Sequence, residues 1–191
     1  MPFALKIATR DFHPPDHVSF ASQHSSPNNV PFQSSVEISN SATPAEKRTI
    51  PLWPDHCVQG TKGAELIPEL NVSKVERIVN KGRDPQLEMF SGFADVFGGR
   101  NSSAADVDLS SILKDSRITH VFTVGLAGDY CVKFTALDAR SEGFQVYVVE
   151  EAVRSIDSGD SGWGEAKQQM EDVGIRVVSL HGPEVGWFRE T

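Results

Sequence analysis

The chain has 191 residues, of which 39% are hydrophobic, and a formal net charge of −8. This length and composition predict one domain with a single core, spanning residues 1–191. The negative charge argues against a nucleic-acid partner, because polyanions are bound by clustered Lys and Arg. No apolar run approaches the roughly 20 residues that span a bilayer, so no membrane partner is predicted.

Without a signal-peptide pattern the sequence predicts a cytoplasmic protein, with the nucleus or peroxisome as alternatives. Its two cysteines, Cys57 and Cys131, are expected to be reduced.

Strand-like and helical segments alternate along the chain. The strand-like segments cover residues 3–9, 75–80, 118–125, 145–149 and 175–179. Helical patterns cover residues 64–70, 109–113, 132–141 and 164–173. This alternation predicts an α/β fold with three layers, α/β/α, around a mostly parallel, doubly wound sheet. Residues 21–50 are rich in Ser, Asn and Pro and are predicted to be a surface loop insertion, either a lid or a segment without a role.

A cysteine lies where the third predicted strand leads into a helix. The strand around 118–125 runs into a glycine-containing turn, and Cys131 falls in the first turn of the predicted helix. Backbone N–H groups and the helix dipole favour a thiolate at such a position. The pattern therefore indicates a nucleophile, with a buried structural cysteine as the alternative.

A carboxylate and two imidazoles form a candidate metal site. Asp11 and His13 follow the first predicted strand, and His56 lies in a second polar segment. One oxygen and two nitrogen ligands suit Zn²⁺, Fe²⁺ or Mn²⁺. The carboxyl ends of strands are also where open α/β sheets bind ligands. The Asp-x-His spacing is weak evidence by itself.

Four motifs, in this order, resemble the nicotinamidase branch of the isochorismatase-like cysteine hydrolases. They are Asp11-Phe12-His13-Pro14 with Asp16-His17-Val18-Ser19-Phe20, then Trp53-Pro54-Asp55-His56-Cys57, then Asn80-Lys81-Gly82, and finally Gly125-Leu126-Ala127 through Cys131. The resemblance extends from the first strand to about Val178. It implies the hydrolysis of nicotinamide to nicotinate and ammonia through a cysteine thioester, in NAD salvage.

The resemblance also implies catalytic roles. Cys131 would attack the amide, and the charge of Lys81 would lower the thiol pKa and stabilise the oxyanion. The backbone N–H groups of Ala127 and Cys131 would form the oxyanion hole. The family match further implies a cis peptide bond between Leu126 and Ala127.

Substrate binding is implied at a metal ion. The resemblance makes Asp11, His13 and His56 the ligands of a divalent ion, with zinc preferred over iron and manganese. This ion would bind the pyridine nitrogen of nicotinamide, and His17 would be an outer or alternative ligand. The side chains expected to contact the ring are Phe12, Trp53 and Leu126.

The chain departs from the family pattern at its start. Nicotinamidases carry a catalytic aspartate at the end of an N-terminal strand that is central in the sheet. Here the first strand-like run already leads into the metal motif, so the first central strand and its aspartate are expected to be missing. We therefore expect poor turnover by the chain as written. The alternatives are a truncated gene product, a catalytically inert metal- or nicotinamide-binding protein, and a purely structural metal site. A homo-oligomer is left open.

Overall fold

The computed structural model describes residues 3–100 and 103–186. Its internal contacts divide the chain into two compact units. The N-terminal unit comprises Ile7–Met89 and Ala94–Val107. The C-terminal unit comprises Met1–Lys6, Phe90–Phe93 and Asp108–Thr191. The single domain predicted for residues 1–191 stays a prediction.

The N-terminal unit contains a parallel strand pair that ends in polar residues. Strand β1 (Ile7–Asp11) pairs with β4 (Arg77–Lys81), and the register places Asp11 opposite Lys81. Both residues are the last of their strands, so this pair presents a carboxylate and an ammonium group at one end. Val79 of β4 is fully buried.

The predicted loop insertion at 21–50 contains regular structure. A single 3-10 turn (Ala21–Gln23) is followed by the antiparallel pair β2 (Ser35–Ser39) and β3 (Lys47–Pro51). Ile38 and Ile50 of these strands are 5% and 2% exposed. Apolar and polar residues alternate in β2, and Ile50 is the buried residue of β3, which suits a hairpin with one buried face. A lid role for this segment stays a prediction.

The C-terminal unit contains a three-stranded parallel sheet in the order β5-β6-β7. Its strands are β5 (His120–Leu126), β6 (Gln145–Arg154) and β7 (Arg176–Val178). Its helices are α1 (Leu109–Asp115), α2 (Lys133–Ser141), α3 (Glu165–Asp172) and α4 (Pro183–Gly186). Helix α2 packs on β6 through small residues, since Ala136 and Ala139 are fully buried. This packing fixes the start of α2, which lies two residues after Cys131.

The predicted α/β class with parallel sheets is confirmed. Strand β1 begins at Ile7 rather than at residue 3. The helix predicted at 64–70 is wrong: the 3-10 turn Lys62–Ala64 ends at the first residue of this range, and Pro68 cannot donate a helical hydrogen bond. Within the described ranges, β1 and β4 form one parallel sheet and β5, β6 and β7 form another. In the same ranges no helix is both long and apolar enough to cross a membrane.

Candidate active site and metal centre

The three predicted metal ligands lie together in the N-terminal unit. Asp11 ends β1, and His13 follows two residues later on the same face, because side chains alternate along an extended chain. The segment after His56 pairs with His13: the His13 N–H donates to the Cys57 carbonyl over 3.0 Å, and the Gln59 N–H donates to the His13 carbonyl over 2.8 Å. As a result one ligand atom from each of Asp11, His13 and His56 lies within 4.8 Å of the others.

Both imidazoles are oriented by backbone carbonyls. His13 Nδ1 lies 2.8 Å from the Gly82 carbonyl, and His56 Nδ1 lies 2.9 Å from the Pro54 carbonyl. A carbonyl only accepts, so each Nδ1 carries the proton and each Nε2 keeps its lone pair. Metal-binding histidines in proteins are held in this way. The donor set and these tautomers therefore fit a divalent ion such as Zn²⁺.

The predicted catalytic lysine lies against the metal ligands. Lys81 is 2% exposed, and its Nζ donates to Asp11 Oδ1 over 2.5 Å and to the Met89 carbonyl over 2.9 Å. Burial alone would raise the pKa of Asp11, but the charges of Lys81 and His13 lower it overall. Burial lowers the pKa of His13 to about 4. At neutral pH the site therefore holds a carboxylate and a neutral imidazole, which are the protonation states that bind metal.

Two further buried polar groups surround this cluster. His17 is fully buried, its ring centroid lies 4.2 Å from that of His13, and burial lowers its pKa to about 3. Glu88 is 3% exposed, and burial raises its pKa to about 7. Glu88 could not be predicted from the sequence, because a single glutamate in a loop carries no spacing or motif that would mark it.

The predicted ring-binding residues of this unit differ in their placement. Trp53 is 9% exposed, and its ring meets that of Phe32 edge to face at 5.7 Å. The Arg10 guanidinium lies 4.9 Å from the centre of the Phe12 ring. Strand alternation places Phe12 on the face opposite Asp11, and its predicted contact with the ring stays a prediction.

Cys131 lies in a single π-helical turn, Gly128–Val132, that leads directly into α2. The carbonyl of Ala127, which precedes the turn, accepts the N–H groups of Tyr130 and Val132 over 3.1 and 3.0 Å. The Leu126–Ala127 peptide bond is cis, as the family resemblance implied. Cys57 and Cys131 are thiols that are not joined in a disulfide, as expected.

The cysteine turn is anchored to the chain that follows β6. The carboxylate of Asp129 is 6% exposed, and its two oxygens accept the N–H groups of Ile156 and Asp157 over 3.0 and 2.9 Å. Gly128 approaches this segment so closely that a Cβ there would lie 2.4 Å from Ser155 Oγ. Each oxygen of the Asp129 carboxylate thus accepts one backbone N–H and ties the turn to this segment.

The remaining predicted ring contact, Leu126, is 73% exposed in the C-terminal unit. Beside the cysteine turn, the Phe90 ring lies 5.5 Å from that of Tyr130 and stacks on Phe134 at the same distance. Phe90 is therefore packed among aromatic side chains beside the turn that holds Cys131.

Comparisons with known proteins identify the family. Residues 30–181 match the model of the isochorismatase domain. The nicotinamidase of Schizosaccharomyces pombe is 38% identical over 178 residues, covering 93% of this chain and 74% of the relative. The crystal structure of the yeast nicotinamidase bound to the inhibitor nicotinaldehyde has a TM-score of 0.81 and 29% identity, covering 92% of this chain and 80% of that one. The pyrazinamidase of Pyrococcus horikoshii in complex with zinc has a TM-score of 0.64 and 33% identity, covering 92% and 75%. The match in sequence and fold, together with the cysteine turn and metal triad, shows that the chain belongs to the isochorismatase family, as an amidohydrolase of the nicotinamidase type.

Proposed function

We propose that this chain hydrolyses nicotinamide to nicotinate and ammonia in NAD salvage. The carrying observation is that one chain holds both an oriented Asp-His-His metal triad and a cysteine at a strand-to-helix turn. The curated nicotinamidase relatives support the same reaction. An inert binding protein is not favoured by these relatives.

Cys131 is the proposed nucleophile. Its thiolate attacks the carbonyl carbon and forms a C–S bond, and the C–N bond then breaks. The proton lost by the thiol leaves on the departing nitrogen, which is released as ammonia. Water then cleaves the thioester to nicotinate and restores the thiol. The positive charge of Lys81 and the N–H groups of Ala127 and Cys131 would stabilise the oxyanion.

The triad of Asp11, His13 and His56 is proposed to hold a divalent ion, with zinc preferred and iron and manganese as alternatives. A bound ion would supply an electrophilic anchor for the ring nitrogen of the substrate. This role is positioning, since holding a reactant in place lowers the entropic barrier. Trp53 and Leu126 are proposed to contact the ring. A cytoplasmic location and a homo-oligomeric state stay predictions.

A thiol-protection experiment tests the nucleophile. Iodoacetamide should alkylate Cys131 faster than Cys57, and nicotinaldehyde should slow alkylation at Cys131 alone. Peptide mass spectrometry reports both sites in one sample, so Cys57 is the internal control. Protection of Cys57 alone, or full ammonia release by a Cys131→Ser variant, would contradict the proposal.

A matched substrate pair tests the positioning role. Benzamide has the amide of nicotinamide but lacks the ring nitrogen, so it should be hydrolysed about 100-fold more slowly or worse. Pyrazinamide keeps a ring nitrogen and should be a substrate. Equal rates for benzamide and nicotinamide would show that no ion holds the ring nitrogen.

A further inference from the structure

Glu88 is a buried carboxylate to which the proposed reaction gives no role. It lies in the N-terminal unit, is 3% exposed, and follows the strand that carries Lys81. Removing a carboxylate from water is costly unless it makes hydrogen bonds. The groups that form hydrogen bonds with Glu88 therefore indicate why a carboxylate occupies this position.

The first contact of Glu88 leads to Lys81. Glu88 Oε1 accepts the backbone N–H of Met89 over 2.8 Å. The carbonyl of Met89 accepts a hydrogen bond from Lys81 Nζ over 2.9 Å, and the same Nζ donates to Asp11. By fixing Met89, Glu88 fixes the carbonyl that directs the lysine onto a metal ligand.

The second contact of Glu88 leads to His17. Glu88 is hydrogen-bonded to the side chain of Ser19, whose Oγ lies 2.8 Å from His17 Nδ1. The Ser19 N–H also points at that nitrogen, over 3.3 Å, and His17 Nε2 lies 3.3 Å from the Leu87 carbonyl. His17 therefore accepts at Nδ1 and donates at Nε2.

The Ser19 hydroxyl therefore bridges Glu88 and the His17 ring. Burial raises the pKa of Glu88 to about 7, although its hydrogen bond with Ser19 acts in the opposite sense and lowers it. A glutamine amide could make the same two bonds, because it offers one acceptor and one donor at the same length.

We propose that Glu88 is a positioning residue of the metal centre, which holds the His17 ring through Ser19 and the Lys81 ammonium through Met89. His17 packs on His13, and Lys81 is bonded to Asp11, so Glu88 supports two of the three ligands. The inference rests on the metal site of the proposed function. Outer partners of metal ligands typically contribute about 10- to 100-fold to metal affinity.

Zinc titration of the metal-free chain tests the proposal without relying on turnover. A chromophoric chelator competes for the ion, and thermal melting confirms that each variant is folded. Glu88→Leu should weaken zinc binding about 10-fold or more. Glu88→Gln should bind zinc nearly as well as the unsubstituted chain. Glu69→Leu is the matched control at an exposed glutamate and should change nothing.

A second variant keeps the test decisive if Glu88→Leu does not fold. Ser19→Ala removes one hydroxyl and interrupts only the contact with His17, so it should also weaken zinc binding. Combined with Glu88→Leu, its effect should be less than additive in free energy, because both act through one chain of contacts.

Three results would overturn the inference. They are unchanged zinc affinity in folded Glu88→Leu, unchanged affinity in Ser19→Ala, and a loss in Glu88→Gln as large as in Glu88→Leu. Failure of the unsubstituted chain to bind zinc would instead refute the metal site itself, so the two failures are distinguishable.

Discussion

At the scale of single residues, the imidazoles of His13 and His56 define the proposed metal centre. Removing both leaves Asp11 as the only proposed ligand, and one carboxylate does not hold a transition metal in competition with water. We predict that a His13→Ala, His56→Ala double variant contains far less than one ion per chain, as measured by elemental analysis after dialysis.

A control for that measurement is His120→Ala, because His120 is exposed and lies in the C-terminal unit. It should retain the metal content of the unsubstituted chain. An unchanged metal content in the double variant would show that the ion is bound elsewhere.

The sequence predicts which residues form the centre, but not how they are held. Asp11, His13 and His56 could be found because their types and order match metal motifs. The acceptors that orient the rings are the backbone carbonyls of Pro54 and Gly82, which any residue could supply. The role proposed for Glu88 depends on Ser19, which lies 69 positions earlier in the chain, so no local pattern in the sequence marks it.

At the scale of structural elements, the turn Gly128–Val132 depends on the anchor that Asp129 provides. In Asp129→Ala the N–H groups of Ile156 and Asp157 lose their acceptors, which costs roughly 1–3 kcal/mol for each donor that remains buried. We predict a lower free energy of unfolding and a changed rate of Cys131 alkylation by iodoacetamide, because the turn that presents the thiol is released.

The matched control for Asp129 is Asp115→Ala, at the exposed end of α1. It should leave both the free energy of unfolding and the rate of Cys131 alkylation unaltered. If Asp129→Ala alkylated at Cys131 like the unsubstituted chain, the turn would hold its shape without the anchor.

Element types could be predicted where the hydrophobic pattern is regular. The parallel strands and the helices after β5 and β6 follow directly from alternating apolar and helical segments. The segment at 64–70 misleads because its apolar spacing is helical, whereas Pro68 removes a donor and Ile67 is 64% exposed. The hairpin of β2 and β3 was missed because Ser, Asn and Pro around it favour loops in any short window.

At the scale of the whole molecule, buried titratable groups make stability depend on pH. The ordinary histidine pKa of 6.5 is lowered to about 4 in His13 and about 3 in His17. As pH falls below 6.5, the unfolded chain binds two protons that the folded chain does not, so stability falls. Glu88 opposes this, because its pKa is raised from 4.5 to about 7 and the folded chain binds one extra proton between those values.

Between pH 6.5 and 4.5 the unfolded chain therefore binds about one proton more than the folded chain. We predict that the free energy of unfolding falls by roughly 1.4 kcal/mol per pH unit as the pH drops through this range. Below pH 4.5 Glu88 no longer compensates, and the loss should steepen. Urea unfolding of the metal-free chain at a series of pH values measures the slope. His17→Gln should reduce the slope, and a flat profile in the unsubstituted chain would contradict the burial of these groups.

The contact between His13 and Gly82 has a consequence for when the ligand is ordered. Gly82 has a φ of +66°, and a Cβ on it would lie 2.3 Å from His13 Cε1. The ring therefore packs tightly against the backbone of Gly82, whose carbonyl accepts the hydrogen bond from its Nδ1–H. Its rotational entropy is lost when the chain folds, not when an ion arrives. The proposed centre is therefore preorganised: the ligand that an ion would meet already points its lone pair inward, so a metal would bind or leave without any rearrangement of this imidazole.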